Sequence, residues 1–292
     1  MSDRATATLP ATALDRRSFL ALGAGMMVAG AATGAPRAAS AGPASKLIDD
    51  RWTRFGDAGD PDQSGWGSFL GRYLKRGPSG VMLVDYSGAT ASRDALKGYI
   101  DALQAVQPTT LSRDAAMAYW FNMYNAVTID LVLDAWPVDS IKKVRGGLFN
   151  TGPWGDDVVR VEGQDLSLDD IEHGIMRPVW NDPRIHYGVN CASIGCPDLA
   201  TKPFTSADLD TMLDAGARAY TAHPRGARLE GGDVIVSTIY DWFNEDFGGT
   251  EASILAHIAQ YAPADKANEL KKKGGIDDYE YDWSINAVKS TA

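Results

Sequence analysis

Two cysteines, four histidines and the charged residues near them bound the chemistry open to this chain. The densest stretch is His186-Tyr187-Gly188-Val189-Asn190-Cys191-Ala192-Ser193-Ile194-Gly195-Cys196-Pro197. His186 has the ring type that titrates near neutrality, which suits a general base. Cys191 becomes a nucleophile if a cation or imidazole lowers its thiol pKa. Ser193 can donate a hydrogen bond to an oxyanion. A different chemistry competes for the same residues. In an oxidising compartment an even number of cysteines suggests a disulfide. Only four residues separate Cys191 from Cys196, and a turn there could bring the pair together. A bridge needs a Cα separation of roughly 5–6 Å. It would remove the thiolate and pin the loop carrying Asn190 and Ser193. In so short a loop it would act on local shape, stabilising by less than the roughly 3 kcal/mol expected for 15 residues.

A second cluster is Glu172-His173, with Arg177 four residues beyond His173 on the same helical face. Glu172 could orient an imidazole, act as a base or ligate a metal. The bland alternative is a solvated helix face with a histidine satisfied by a carbonyl. Glu172, His173, His186 and Cys191 are types that suit zinc. No pair of histidines four apart anchors such a site, so a metal ranks below the other readings. The third cluster is Asn122 and Asn125, within Tyr119-Trp120-Phe121-Asn122-Met123-Tyr124-Asn125. These amides either face a polar pocket or tie their helix to a neighbouring loop. Arg184 is a further candidate for lining a pocket. The chain has no H-E-x-x-H, G-x-S-x-G or P-loop, and Gly65-x-Gly67-x-x-x-Gly71 misses the dinucleotide spacing. No motif names a cofactor.

The elements that must position these residues are mostly helical. Helices are expected over 93–106, over 113–135 behind a Ser112 cap, and over 168–177, where Ser167 and Asp170 form a capping box and Pro178 ends the run. Further helices are expected from a Ser206 cap to Ala222, from Ser237 through Phe247, and from a Thr250 cap to Tyr261. Residues 81–84 and 184–189 read as strands. Hairpins are expected around Glu162-Gly163 and around Gly231-Gly232-Asp233. Tyr279, Tyr281 and Trp283 alternate with polar residues, the period of a strand with one buried face. Helices with scattered strands imply an α+β fold, several helices packed on a small mixed or antiparallel sheet in one globular domain over 51–292.

Residues 1–41 read as a twin-arginine export leader. Arg16-Arg17 precede an apolar Ala/Gly-rich run, and Ala39-Ser40-Ala41 supplies the small-residue cleavage pattern. The run is short for a membrane span, so no stable insertion is expected after cleavage. Residues 42–50 read as a short linker. The expected location is periplasmic or secreted, reached through the twin-arginine machinery. Removing residues 1–41 takes away four Arg and two Asp and moves the net charge from −10 to −12. That charge argues against nucleic acid, which needs clustered basic residues. A small-molecule or peptide ligand fits better.

Taken together these residues resemble the family catalogued as domain of unknown function 547. The pieces that carry the resemblance are Tyr119 to Ala126, Leu168 to His173 with Arg177, Asp182 to His186, Asn190 to Ser193 with Cys196-Pro197, Ser237 to Phe243 with Asp246-Phe247, and Tyr281 to Asn286. The resemblance implies one domain holding Glu172, His173, His186 and Cys191, and brings no activity with it. Two functions stand open. One is a thiol-dependent hydrolase or acyl transferase on peptide or cell-wall amides, with Cys191 as nucleophile, His186 as base and Glu172 or Asp246 orienting the base. The other is a non-catalytic periplasmic binding or scaffolding domain, with Cys191 and Cys196 bridged and Asn122, Asn125 and Arg184 lining a pocket. A papain-like order would put the cysteine before its histidine, whereas His186 precedes Cys191 here.

Overall fold

The computed structural model describes residues 42–145 and 152–288. The leader expectation falls outside them. The fold is α+β, as the element pattern implies. At its centre lies the helix Arg113–Asp134, capped by Ser112 Oγ, which accepts from Ala115 N–H at 3.3 Å. Its sequence carries apolar and aromatic residues on every side, so it is buried all round. Tyr119, Trp120, Phe121 and Met123 lie at 0–1 % exposure. Helix Arg93–Gln104 packs its apolar stripe, Leu96, Tyr99, Ile100 and Leu103, into the same core. A second, smaller core gathers helices Leu209–Ala222 and Glu251–Tyr261 with the last strands.

Among the described residues the strands are distributed over three small sheets rather than gathered in one. β1 (Leu74–Arg76) pairs antiparallel with β2 (Met82–Val84). β3 (Val159–Val161) and β4 (Gln164–Leu166) form the expected hairpin, with Glu162 and Gly163 both at positive φ in its two-residue turn. β5 (Ala227–Glu230) and β6 (Asp233–Ser237) form the second hairpin, and β7 (Asp278–Glu280) adds parallel to β6. Beyond β7 the chain leaves the sheet, so Tyr281 and Trp283 are not strand residues as their alternation suggests.

Three local expectations are corrected. Residues 184–189 do not form a strand. Ile185–Gly188 is a single helical turn, because Asp182-Pro183 starts a turn whose N–H groups close back on 182–184. Pro178 does not end its helix. It sits near the N-terminus of the turn Arg177–Trp180, where a missing N–H is tolerated. Ser206 does not cap the helix that begins at Leu209. Its hydroxyl donates to Asp60 at 2.8 Å.

The smaller core also holds His257, stacked on Tyr187 and accepting or donating at 2.9 Å to its hydroxyl. Burial lowers its pKa to about 4. A histidine held neutral in the fold but free to protonate when unfolded favours the unfolded chain as acid is added. Stability from this residue is therefore intact above about pH 6.5 and is lost as pH falls from there toward 4. Urea midpoints across that window should fall for the natural chain and fall less for His257→Gln.

Candidate active site

Glu172 and His173 stand on a π-helix, Asp170–Met176, entered through the predicted capping box. Ser167 Oγ accepts from Asp170 N–H at 3.0 Å, and Asp170 Oδ2 accepts from Ser167 N–H at 2.9 Å. The wide turn is closed by Arg177 N–H donating to Glu172 O. Pro178 has no N–H, so the His173 and Gly174 carbonyls lose the donors that a π or an α register would offer at that position. Two N–H groups of the preceding chain replace them. Lys46 N–H donates to His173 O at 3.0 Å and Ile48 N–H to Gly174 O at 3.1 Å. Residues 42–50, read above as a linker, are thus a docked strap. Its start is fixed where Gly42 N–H donates to Trp242 O at 2.9 Å and Pro43 O accepts from Arg177 at 2.6 Å. A Cβ on residue 42 would stand 2.4 Å from the Trp242 carbonyl oxygen. Gly42→Ala should therefore lift the strap. Amide exchange at Lys46 and Ile48 should rise at least tenfold, while exchange in the central helix stays unchanged.

Behind the strap lies a buried, charge-balanced network. Asp246 takes a two-point ion pair from Arg177, at 2.6 and 3.2 Å. The same carboxylate lies 2.6 Å from His186 Nε2, and Glu172 Oε1 lies 3.4 Å from His186 Nδ1. Burial would lower the His186 pKa, but Asp246 and Glu172 outweigh it and raise it. Burial likewise pushes the Glu172 carboxyl up, yet the imidazoles of His173 and His186 and the Tyr124 hydroxyl hold it down at about 2. Burial first, then Arg177 and His186, lower the His173 pKa against the pull of Glu172 and Asp246. Arg177 Nη1, which can only donate, faces His173 Nδ1 at 3.2 Å, so that nitrogen accepts and the proton sits on Nε2. Phe243 floors the network. His186 stacks on it at 4.3 Å, and the Arg177 guanidinium lies 5.0 Å from its ring centre.

The cysteine loop is built by amides. Asn190 accepts from Ala192 N–H at 2.9 Å and donates to Pro197 O at 2.7 Å, clasping both ends of the loop. Ala192 takes a positive φ of 58° inside it. The C-terminal segment then zips along the loop. Ile194 N–H donates to Ser284 O, and Gly195 N–H donates to Asp282 O, at 2.7 and 2.8 Å. Only glycine fits at 195, where a Cβ would meet Asp282 N at 2.8 Å. This zipper delivers Tyr281, whose hydroxyl lies 3.0 Å from Cys191 Sγ and 2.8 Å from Ser193 Oγ. Ser193 Oγ is itself 3.2 Å from that sulfur.

Both cysteines are free thiols, so the disulfide weighed from the sequence is not formed. The loop does not need it, because Asn190 already does the clasping. A hydrogen bond from Cys196, outweighing burial, lowers the Cys191 pKa to about 7, with Ser193 and Tyr281 adding to the effect. Burial pushes the Cys196 thiol well up.

These groups meet at a cavity of about 570 Å³, whose lining includes Cys191, Cys196, His186, His173, Glu172 and Asp169. Its lining is otherwise largely aromatic, with Trp154, Trp242, Phe243, Tyr281 and Trp283. Burial, then the nearby Glu172 and Asp170 charges, raise the Asp169 carboxyl to about 6.

Of the residues singled out by sequence, Glu172, His173, His186 and Cys191 all reach this cavity. Ser193 and Arg177 stand directly behind it. The expected pairing within it differs, because both His186 nitrogens face carboxylates and the Cys191 sulfur faces hydroxyls. His186 is thus engaged by Glu172 and Asp246 through its two ring nitrogens. Asn122, Asn125 and Arg184 are elsewhere. Asn122 pairs with the Phe204 backbone through both amide atoms, and Asn125 joins Gly188 O to Asn190 N–H. Arg184 ties Asp182 to Asp210 and Asp214. Among the described residues no group of three or more His, Cys, Asp or Glu side chains could hold a metal ion. No helix among them is long and apolar enough to cross a membrane.

Tyr281, Trp283, Trp242, Trp154 and Asp169 were not picked out as site residues. The period-two alternation that puts Tyr281 and Trp283 on one face was the available signal for two of them. Nothing local marks the others.

Residues 108–221 match the family model described as protein of unknown function, DUF547. The match covers less than half of the chain. It takes in the central helix, the π-helix and the cysteine loop, and it supports the resemblance over that segment. Asp246 and Tyr281 lie beyond it. No curated protein and no solved structure matches the chain.

Proposed function

We propose that the cavity is the active site of an exported thiol-dependent hydrolase or acyl transferase. Cys191 is its nucleophile, and its substrate is a carbonyl compound of the amide or ester class. The observation that carries this reading is the sulfur itself, set in a cavity wall under two hydroxyls that stabilise its thiolate. A thiolate already populated near neutral pH needs no separate base, which agrees with the engagement of His186 elsewhere.

In the reaction the Cys191 sulfur attacks the carbonyl carbon, a C–S bond forms, and the carbonyl π pair moves to oxygen. The Tyr281 hydroxyl, freed from the sulfur as it loses charge and held by Ser193 behind it, donates to that oxyanion. Collapse breaks the bond to the leaving amine or alcohol. Asp169, with a carboxyl proton available near pH 6, supplies the proton it needs. Water or an acceptor amine then takes the acyl group from sulfur. The tryptophan wall suits a substrate with ring faces or apolar side chains, such as a peptide or the sugar-bearing amides of a cell wall.

The test is turnover of a panel of amide and ester substrates by the reduced protein. Cys191→Ser should lose activity at least a thousandfold. Tyr281→Phe should lose about a hundred- to a thousandfold, mostly in kcat, as expected for one oxyanion donor. Equal turnover by Cys191→Ser and the natural chain would remove the proposal.

A further inference from the structure

Acyl transfer asks of Cys196 only that it help lower the Cys191 pKa, although it is a second thiol beside the first and also lines the cavity. Cys196 Sγ accepts a hydrogen bond from Cys191 N–H at 3.1 Å. It also makes a long contact, to Val189 O at 3.8 Å. The two thiols differ in access, since Cys191 is half-buried at the cavity and Cys196 is only 5 % exposed. The loop between them is held by the Asn190 amide at both ends. Two thiols that stand together on one loop and differ in access are arranged as an attacking and a resolving thiol.

We propose that Cys191 and Cys196 form a reversible thiol–disulfide exchange couple that reacts with disulfide substrates entering the cavity. The Cys191 thiolate attacks one sulfur of the substrate disulfide. A mixed disulfide forms and one substrate thiolate leaves. Cys196 then gives up its proton to that thiolate and attacks the Cys191 sulfur, closing the Cys191–Cys196 bridge and expelling the second substrate thiolate, which takes up from water the proton that Cys191 lost on ionising. The substrate disulfide is reduced to two thiols, and the dithiol is oxidised by the same two electrons. The lowered Cys191 pKa and raised Cys196 pKa favour this order of attack. The acyl-transfer reading needs the reduced state, so oxidation would silence that activity.

The experiment treats the reduced full-length chain with oxidised glutathione and reads intact mass and free thiols. The natural chain should lose both thiols, gain no glutathione and release two reduced glutathiones per chain. Cys196→Ser should stall with one glutathione on Cys191, and Cys191→Ser should stay unmodified. A natural chain that keeps glutathione on Cys191, or that leaves both thiols free while iodoacetamide modifies Cys191, would overturn the couple. Turnover by the reduced chain on amide and ester substrates is measured separately. Failure of exchange therefore leaves acyl transfer standing, and the reverse also holds.

Discussion

Arg177→Ala is expected to lower the unfolding free energy by about 3–5 kcal/mol, the range for breaking one partner out of a buried ion pair. Arg177 is 4 % exposed, and its guanidinium serves the Asp246 carboxylate, the Pro43 carbonyl and the His173 ring at once. Its removal strands a largely buried carboxylate beside His186 and leaves the strap carbonyl without its donor. The Asp246 carboxyl, held down to about 2 against burial by His186 and Arg177, would rise. A group with a depressed folded pKa stabilises the fold above its unfolded value near 4 and loses that contribution as pH falls toward 2. The deficit of the variant should therefore be large at pH 7 and shrink below pH 4. Urea unfolding at both pH values reads this directly. A deficit below about 1 kcal/mol at pH 7 would mean the pair behaves as an exposed one.

Asn190→Ala should be nearly as costly. It leaves the buried Ala192 N–H and Pro197 C=O unpaired, at about 1–3 kcal/mol each, so roughly 2–6 kcal/mol in all. Asn286, which also donates to Asn190 at 3.3 Å, would lose that partner. The loop would loosen without unfolding the central helix, and Cys191 would lose its alignment under Ser193 and Tyr281. The expected result is a lower urea midpoint with an unchanged slope, together with a Cys191 pKa moved back toward 9. Unchanged stability would show that the amide does not clasp the loop and would reopen the case for a structural bridge.

Much of the helical frame was legible in the sequence. Ser112, Ser167 with Asp170, and Thr250 each placed a helix start correctly, because a side-chain cap is a local signal. Both hairpins followed from their turn residues. The errors came where tertiary contacts override local preference. Pro178 reads as a stop, yet the strap supplies the hydrogen bonds that its ring denies, and the helix runs on. Residues 184–189 carry strand-like types but are held in a turn by Asp182 and the central-helix amide of Asn125.

For the site, residue types were legible and roles were not. Glu172, His173, His186 and Cys191 do share one cavity. Which nitrogen faces which carboxylate depends on Asp246, more than fifty residues further along the chain. Tyr281, which touches the thiol, arrives from the segment just after the last strand. Asn122 and Asn125 are polar residues in an aromatic helix, a signal equally consistent with a pocket and with backbone anchoring, and only their partners decide between the two.

The central claim is that Cys191 is the thiolate of this cavity, and the pH dependence of its carbamidomethylation tests it most directly. Because nucleophilicity falls along with thiol pKa, the midpoint of the profile is the readout rather than the absolute rate. With native reduced protein and iodoacetamide, modification at Cys191 should rise with a midpoint near pH 7 and shift upward in Tyr281→Phe, while Cys196 reacts far more slowly. A Cys191 midpoint near 9 in the natural chain, or Cys196 reacting first, would contradict it.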